Sequence, residues 1–178
     1  MPGQQSPFLD ISPGAVILDY GASGHDNLII RPTLGTITLN IEDQTAPVHE
    51  EEFGDHEVDT VEKGSIVSLE VPFTRLDLQT LNSIYNTKTT LQSADVLIFK
   101  MQVGYNYFPN ARNCVIRPII NNQLSTDPSQ WVLLYHVHPF NAWSLGWDRE
   151  NQRVMMVNFK VYAKQTGLNI GHLFQIGV

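Results

Sequence analysis

Residues 64–86 read GSIVSLEVPFTRLDLQTLNSIYN, and the hydrophobic period changes part-way along them. Val67, Leu69, Val71 and Phe73 alternate with Ser68, Glu70 and Pro72, the pattern of a strand with one buried face. From Leu78 onward the spacing is helical, with Leu78, Leu81, Ile84 and Tyr85 on one stripe. Thr74 and Asp77, three positions apart, are placed as a capping box with Asp in the position usually held by Glu. The stretch therefore predicts a strand that runs directly into a helix over about residues 75–86, the one clear helical period in the chain.

Just before this junction, periodicity is lost. Residues 43–63 carry Glu50, Glu51, Glu52, Asp55, Glu57, Asp59 and Glu62 in close succession and read as a long acidic loop. Loops beyond about 12–15 residues are uncommon inside compact domains and tend to be functional or unstructured. Two readings stand side by side. One is a solvated excursion. The other is an arm that packs on an adjacent subunit, with Val48, Phe53, Val58 and Val61 as apolar anchors and Glu51 among its carboxylates. The spacing lacks the alternating Asp/Asn pattern of a calcium loop.

Further towards the N-terminus, Ile37, Leu39 and Ile41 alternate with Thr36, Thr38, Asn40 and Glu42, as in a strand with one core face and one polar face. Shorter apolar runs at residues 15–20 and 28–30 end at Gly21 and near Pro32. Residues 1–13 are polar and proline-punctuated, and read as an extended arm. Downstream, residues 96–103, 114–120, 131–137, 153–164 and 173–176 read as strands. In the third of these, Trp131, Leu133, Tyr135 and Val137 are expected on one face. Many short strands, one helix and frequent turn signals predict an antiparallel β-sandwich or barrel with a flanking α-helix, in a single domain over residues 14–178.

Composition narrows the function. The chain has 178 residues and a formal net charge of −7, which disfavours binding nucleic acid through neutralised phosphates. It has no run of about 20 apolar residues to span a membrane, and its first residues lack the basic start and apolar centre of a signal peptide. Cys114 is the one cysteine, so no disulfide forms within the chain. Nothing around it specifies the electropositive setting of a reactive thiol.

The best chemical candidate is the pair His136 and His138, which share one side of a strand and can approach a common metal. A cupin-like site also needs a glycine six residues before the first histidine and a glutamate shortly after the second. Gln130 stands at the first place, and Ala142 and Trp143 stand at the others. The pair therefore reads as structural or exposed, and no metal, cofactor or catalytic residue is assigned. Tyr105, Tyr107 and Phe108, followed by Arg112, can stack bases or form a packed loop, and the acidic balance favours packing. His25, His49, His56 and His172 read as surface residues, and Trp143 and Trp147 as loop anchors.

Four features, in this order and spacing, resemble the tail tube proteins of tailed phages, a tube-forming family shared with contractile injection and type VI secretion systems. They are GAVILDYG at 14–21, LGTITLNIED at 34–43, the acidic connection, and SLEVPFTRLDLQTLNSIY at 68–85. The resemblance covers roughly the first half of the chain. It implies a structural virion protein rather than an enzyme. Six copies would join their sheets into a ring with a continuous inner β-barrel, and rings would stack into a tube through which double-stranded DNA passes without specific binding.

In that scheme, residues 43–63 reach into neighbouring subunits and residues 1–13 help rings to stack. The helix bears on a neighbour or on a sheath. Thr36, Thr38, Asn40, Glu42, Ser68 and Glu70 are the possible lumen face, polar enough to let DNA slide. The partners implied are further copies of the chain, a sheath or tail-end proteins, with no membrane insertion. The implied location is the virion tail, assembled in the host bacterial cytoplasm. A tail terminator, initiator or adaptor, or a secretion-system tube protein, is the alternative on the same fold, and a metal-binding β-barrel enzyme is the alternative from another class.

Overall fold

The computed structural model describes residues 14–21, 28–30, 36–49, 57–73, 77–85, 88–93, 95–100, 103–140 and 155–177. The arm at 1–13, Glu51, Phe53, Thr74, Trp143 and Trp147 lie outside the described residues. Among the described residues, eleven strands and one α-helix follow in chain order: β1 Gly14–Leu18, β2 Leu28–Ile30, β3 Thr38–His49, β4 Glu57–Phe73, α1 Leu78–Ile84, β5 Thr89–Ser93, β6 Val96–Phe99, β7 Arg112–Ile120, β8 Gln123–Leu124, β9 Val132–Phe140, β10 Met155–Tyr162 and β11 Phe174–Ile176. The main sheet is antiparallel in the order β2-β1-β7-β9-β10-β4-β3, with β11 on β9 and β8 on β7. β5 and β6 form a separate hairpin.

The expected mainly β architecture with one flanking helix is present. Alternation in β4 and β10 builds its core, since Val67, Leu69, Val71 and Phe73 lie opposite Val161, Phe159, Val157 and Met155. All eight are buried. Val16, Leu18 and Ile30 from β1 and β2, Cys114 from β7 and Leu134 and Val137 from β9 complete the same cluster. The sheet curls. Ile37, leading into β3, places its Cδ1 3.4 Å from where a Cβ on Gly14 of β1 would lie. The start of β3 thus lies against β1 over the core, as in a partly closed barrel.

The helix starts later than its period predicts. Asp77 is itself the N-cap, and its Oδ1 accepts the Thr80 N–H at 2.6 Å. The helix covers Leu78–Ile84 rather than 75–86. Leu81, Ile84 and Tyr85 enter the core, whereas Leu78 stays half-buried.

The acidic connection is also not a loop. β3 and β4 pair continuously from Thr38↔Glu70 to His49↔Glu57, so most of residues 43–63 form the two legs of a long β-ribbon. Sequence reading missed it for two reasons. Most of its side chains are exposed, so no apolar alternation marks a buried face, and register shifts at Gln44/Thr45 and Val48/His49 break the parity. Gly64, at φ 143°, sits at the first shift, in a conformation that suits glycine at a bulge.

A bulge also corrects the faces of β9. Leu134 pairs with Cys114 and Val137 with Arg112, so three steps on β9 match two on β7. Leu134 and Val137 therefore both enter the main core, while Trp131 and Leu133 join Ile17 and Val115 in a second cluster. There the Trp131 Nε1–H donates to the Ser125 carbonyl at 3.2 Å, and the Arg117 guanidinium lies 4.1 Å from the indole centroid. With apolar clusters on both sides, Ala15 to Leu18 are all buried, which accounts for the unbroken apolar run there.

Candidate assembly interface

Alternation places the polar residues of β3 and β4 on the face turned away from the core. Thr38 lies opposite Glu70, and Asn40 opposite Ser68. Glu42 lies opposite Ile66, which is exposed. Thr38, Asn40, Glu42, Ser68 and Glu70 are thus brought together as one surface, and Thr36, just before β3, is exposed. The register extends this surface across the sheet. Ser68 faces Lys160 and Glu70 faces Asn158, while Lys160 faces His138 and Tyr162 faces His136. The polar face therefore carries cations and imidazoles on β9 and β10 as well as the carboxylates on β3 and β4.

Beyond the Ile41↔Val67 pair the ribbon leaves the core. Val61 is 51% exposed and Ile41 52%. Val58 and Ile66 are also exposed, and Val48 is half-buried. Ser65 Oγ ties the two legs, lying 2.8 Å from Asp43 Oδ1 and 3.2 Å from Glu62 Oε1. A two-stranded hairpin alone is marginally stable in water. Apolar side chains on such a ribbon are the kind of surface that a second protein covers. Among the described residues β3 pairs only with β4, which leaves a twelve-residue edge strand open to another chain. β2 is the opposite edge of the sheet.

His136 and His138 do share a face, as their spacing requires, but they are covered by aromatic rings. Tyr105 OH lies 3.2 Å from His138 Nε2, and His138 Nδ1 lies 2.8 Å from the Pro139 carbonyl oxygen. A carbonyl only accepts, so Nδ1 carries the proton and Nε2 accepts from the tyrosine. Both ring nitrogens are engaged. The Tyr107 ring stands 5.0 Å from the His138 ring, and Phe108 stands 5.1 Å from His136. Tyr105, Tyr107 and Phe108 thus form a packed lid on β9.

Burial lowers the pKa of His138, and the charges of Lys88 and Arg112 add to this against the opposing Pro139 carbonyl. His136 is lowered by burial and then by Lys164. Among the described residues no three His, Cys, Asp or Glu gather as metal ligands, and no helix is long and apolar enough to cross a membrane.

Two exposed apolar features escaped sequence reading. The β5–β6 hairpin shows Val96, Ile98 and Phe99 to solvent, and the turn after β10 shows Leu168 and Ile170. The second had a signal, since Leu168 and Ile170 lie between Gly167 and Gly171. Apolar residues in a glycine-bounded turn have no core within easy reach.

No family model and no curated protein matches the chain. Solved structures with a similar backbone include a chain of the six-fold symmetrised cryo-EM structure of the anti-feeding prophage baseplate, at 14% identity and a TM-score of 0.48. That match covers 88% of this chain and 92% of the other. A crystal structure of Hcp protein is similar at 7% identity and a TM-score of 0.36, over 83% and 88% of the two chains.

Proposed function

We propose that the chain is a structural subunit, six copies of which join into a ring, and that the rings stack into the tube of a phage tail. The observation that carries this reading is the β3–β4 ribbon, which takes apolar side chains beyond the core and leaves a long strand edge open. A contact between two different patches closes into a ring when its rotation is right, and stacking adds a second contact that extends the ring into a filament. The polar face of Thr38, Asn40, Glu42, Ser68 and Glu70 is the lumen lining in this reading, and its carboxylates repel the DNA backbone. The helix turns Leu81, Ile84 and Tyr85 inward, so Leu78 and Gln79 are left to meet a neighbour or a sheath. The role is conduit and scaffold, without catalysis.

Electron microscopy of the purified protein tests the proposal. Stacked rings of open-ended length are expected. Isolated rings that never stack would move the chain to an end-piece of the tail, and monomers at all concentrations would overturn the reading.

A further inference from the structure

The segment that leads into β7 is closed on itself. Gly104 takes φ 74°, and a 3₁₀ turn follows at Phe108–Asn110. The Asn110 and Ala111 N–H groups donate to the Tyr107 and Phe108 carbonyls at 3.1 and 3.0 Å, and Asn110 Nδ2 donates to the Asn106 carbonyl at 3.1 Å. Residues 105–110 belong to no strand of the main sheet, so they can lift from β9 without unpairing it.

Their contacts with the sheet centre on two histidines. Tyr105 O–H donates to His138 Nε2, and the Tyr105 and Tyr107 rings stand 5.7 and 5.0 Å from the His138 ring. Phe108 stands 5.1 Å from the His136 ring and 6.2 Å from that of Tyr162. His138 beneath them is 3% exposed. Among the described residues, the charged and titratable groups around it are Tyr105 and Tyr107 above, Lys88 after α1, Arg112 on β7, Lys160 and Tyr162 on β10, and His136 on its own strand. The permanent charges of that set are cations, and Asp19 is the carboxylate that pairs with Arg112. Lys88 Nζ lies 3.0 Å from Tyr107 OH and 4.5 Å from that ring's centroid, so an ammonium and the imidazole both bear on one tyrosine.

This setting suits a neutral imidazole and opposes a charged one. With Nδ1–H given to the Pro139 carbonyl, Nε2 accepts from Tyr105 only while it carries no proton of its own. A second proton makes Nε2 a donor and places a positive charge in a buried site among other cations. Burial and the charges of Lys88 and Arg112 outweigh the Pro139 hydrogen bond and lower the pKa of the covered ring. Uncovered, His138 returns to water and to its ordinary value of about 6.5. Protons therefore bind the open form more readily, and acid shifts the balance towards it.

We infer that residues 105–110 form a pH-operated flap, closed over β9 while His138 is neutral and released when His138 takes up a proton, which uncovers His136, His138 and Tyr162. The flap belongs to the single subunit and does not depend on how copies assemble.

Hydroxyl-radical footprinting at pH 7.5 and pH 5, read by mass spectrometry at each residue, tests it, because radicals mark side chains by their access to water. In wild type, oxidation of Tyr105, Tyr107 and Phe108 is expected to rise roughly threefold or more at pH 5, while Phe159, 1% exposed in the core, stays protected. His138→Gln keeps an acceptor for Tyr105 and gains no proton in this range, so it is expected to stay closed at both pH values. Lys88→Gln, at a half-buried position, removes one opposing cation and is expected to shrink the rise; it carries the test if circular dichroism shows His138→Gln unfolded. Equal oxidation at the two pH values in wild type would overturn the inference. So would a rise that Phe159 shares, since the whole subunit then unfolds. An undiminished rise in folded His138→Gln or Lys88→Gln would also overturn it.

Discussion

Arg112 Nε donates to Asp19 Oδ1 at 2.7 Å, a second guanidinium nitrogen pairs with Oδ2, and Nη1 reaches the Ser83 carbonyl at 2.6 Å. One side chain at the start of β7 thus joins the turn after β1 to the last turn of α1. Both charged groups are mostly buried, at 14% and 15% side-chain exposure. Charge-assisted hydrogen bonds of this kind contribute about 1.5–3 kcal/mol. Arg112→Lys, which keeps the charge and loses the fork, should destabilise the protein by about that amount in a denaturant titration. A change within about 0.5 kcal/mol would show that the clamp is dispensable.

The two histidines give a pH dependence of fixed sign. Their folded-state pKa values lie below the unfolded value of about 6.5. Between those limits the unfolded chain binds more protons than the folded one, so stability rises with pH. Stability should therefore be full above about pH 7 and should fall as pH drops through about 6.5 towards the lower folded values. Thermal melts from pH 7 to pH 5 measure the slope, and His138→Gln should flatten it. An unchanged slope in that variant would remove His138 as its source.

Cys114 is fully buried in the core, and burial pushes its thiol well above the usual range despite the opposing charge of Arg112. The thiolate is the reactive form. A thiol reagent should leave the native protein unmodified and label it fully in denaturant, with mass spectrometry as the readout. Rapid native labelling would mean that the β7 region opens readily.

How much of this was legible in the sequence depended on where each side chain found its partner. Val67 to Phe73 and Met155 to Val161 announced themselves because one face is buried and the other is not, so apolar period and strand face coincide. The ribbon was hidden because water meets most of its side chains, and acidic residues there look the same in a strand as in a loop. At Leu134 and Val137 a bulge set by β7 overrides alternation, and β9 alone carries no mark of it. Val48, Val58 and Val61 were named as apolar anchors, and the structure leaves the last two exposed and the first half-buried. The nearness of Phe140 and Lys160 was missed, because it depends on which strands become neighbours.

The N-cap can be tested alone. Asp77→Ala removes the acceptor for the Thr80 N–H, which should destabilise the protein by about 1 kcal/mol. Asp77→Asn should restore most of it, because the amide oxygen still caps. Chemical denaturation followed by circular dichroism distinguishes the two. Equal losses from both variants would place the role of Asp77 elsewhere.

Core and interface separate most sharply at Leu81 and Val61. Leu81 is buried against the sheet, and Val61 is exposed on the ribbon. Leu81→Ala removes core contacts and should destabilise the monomer by about 2–5 kcal/mol, while Leu81→Asp should prevent folding. Leu78→Ala should do less, because Leu78 is only half-buried. Val61→Asp should leave the unfolding midpoint of the monomer nearly unchanged, since exposed positions away from special features shift stability by about 0.5 kcal/mol or less. It should nonetheless weaken assembly, measured by light scattering across a concentration series, because it puts a charge where the proposed assembly makes an apolar contact. If Val61→Asp unfolds the monomer as Leu81→Asp does, the ribbon belongs to the subunit's own stability and the interface lies elsewhere.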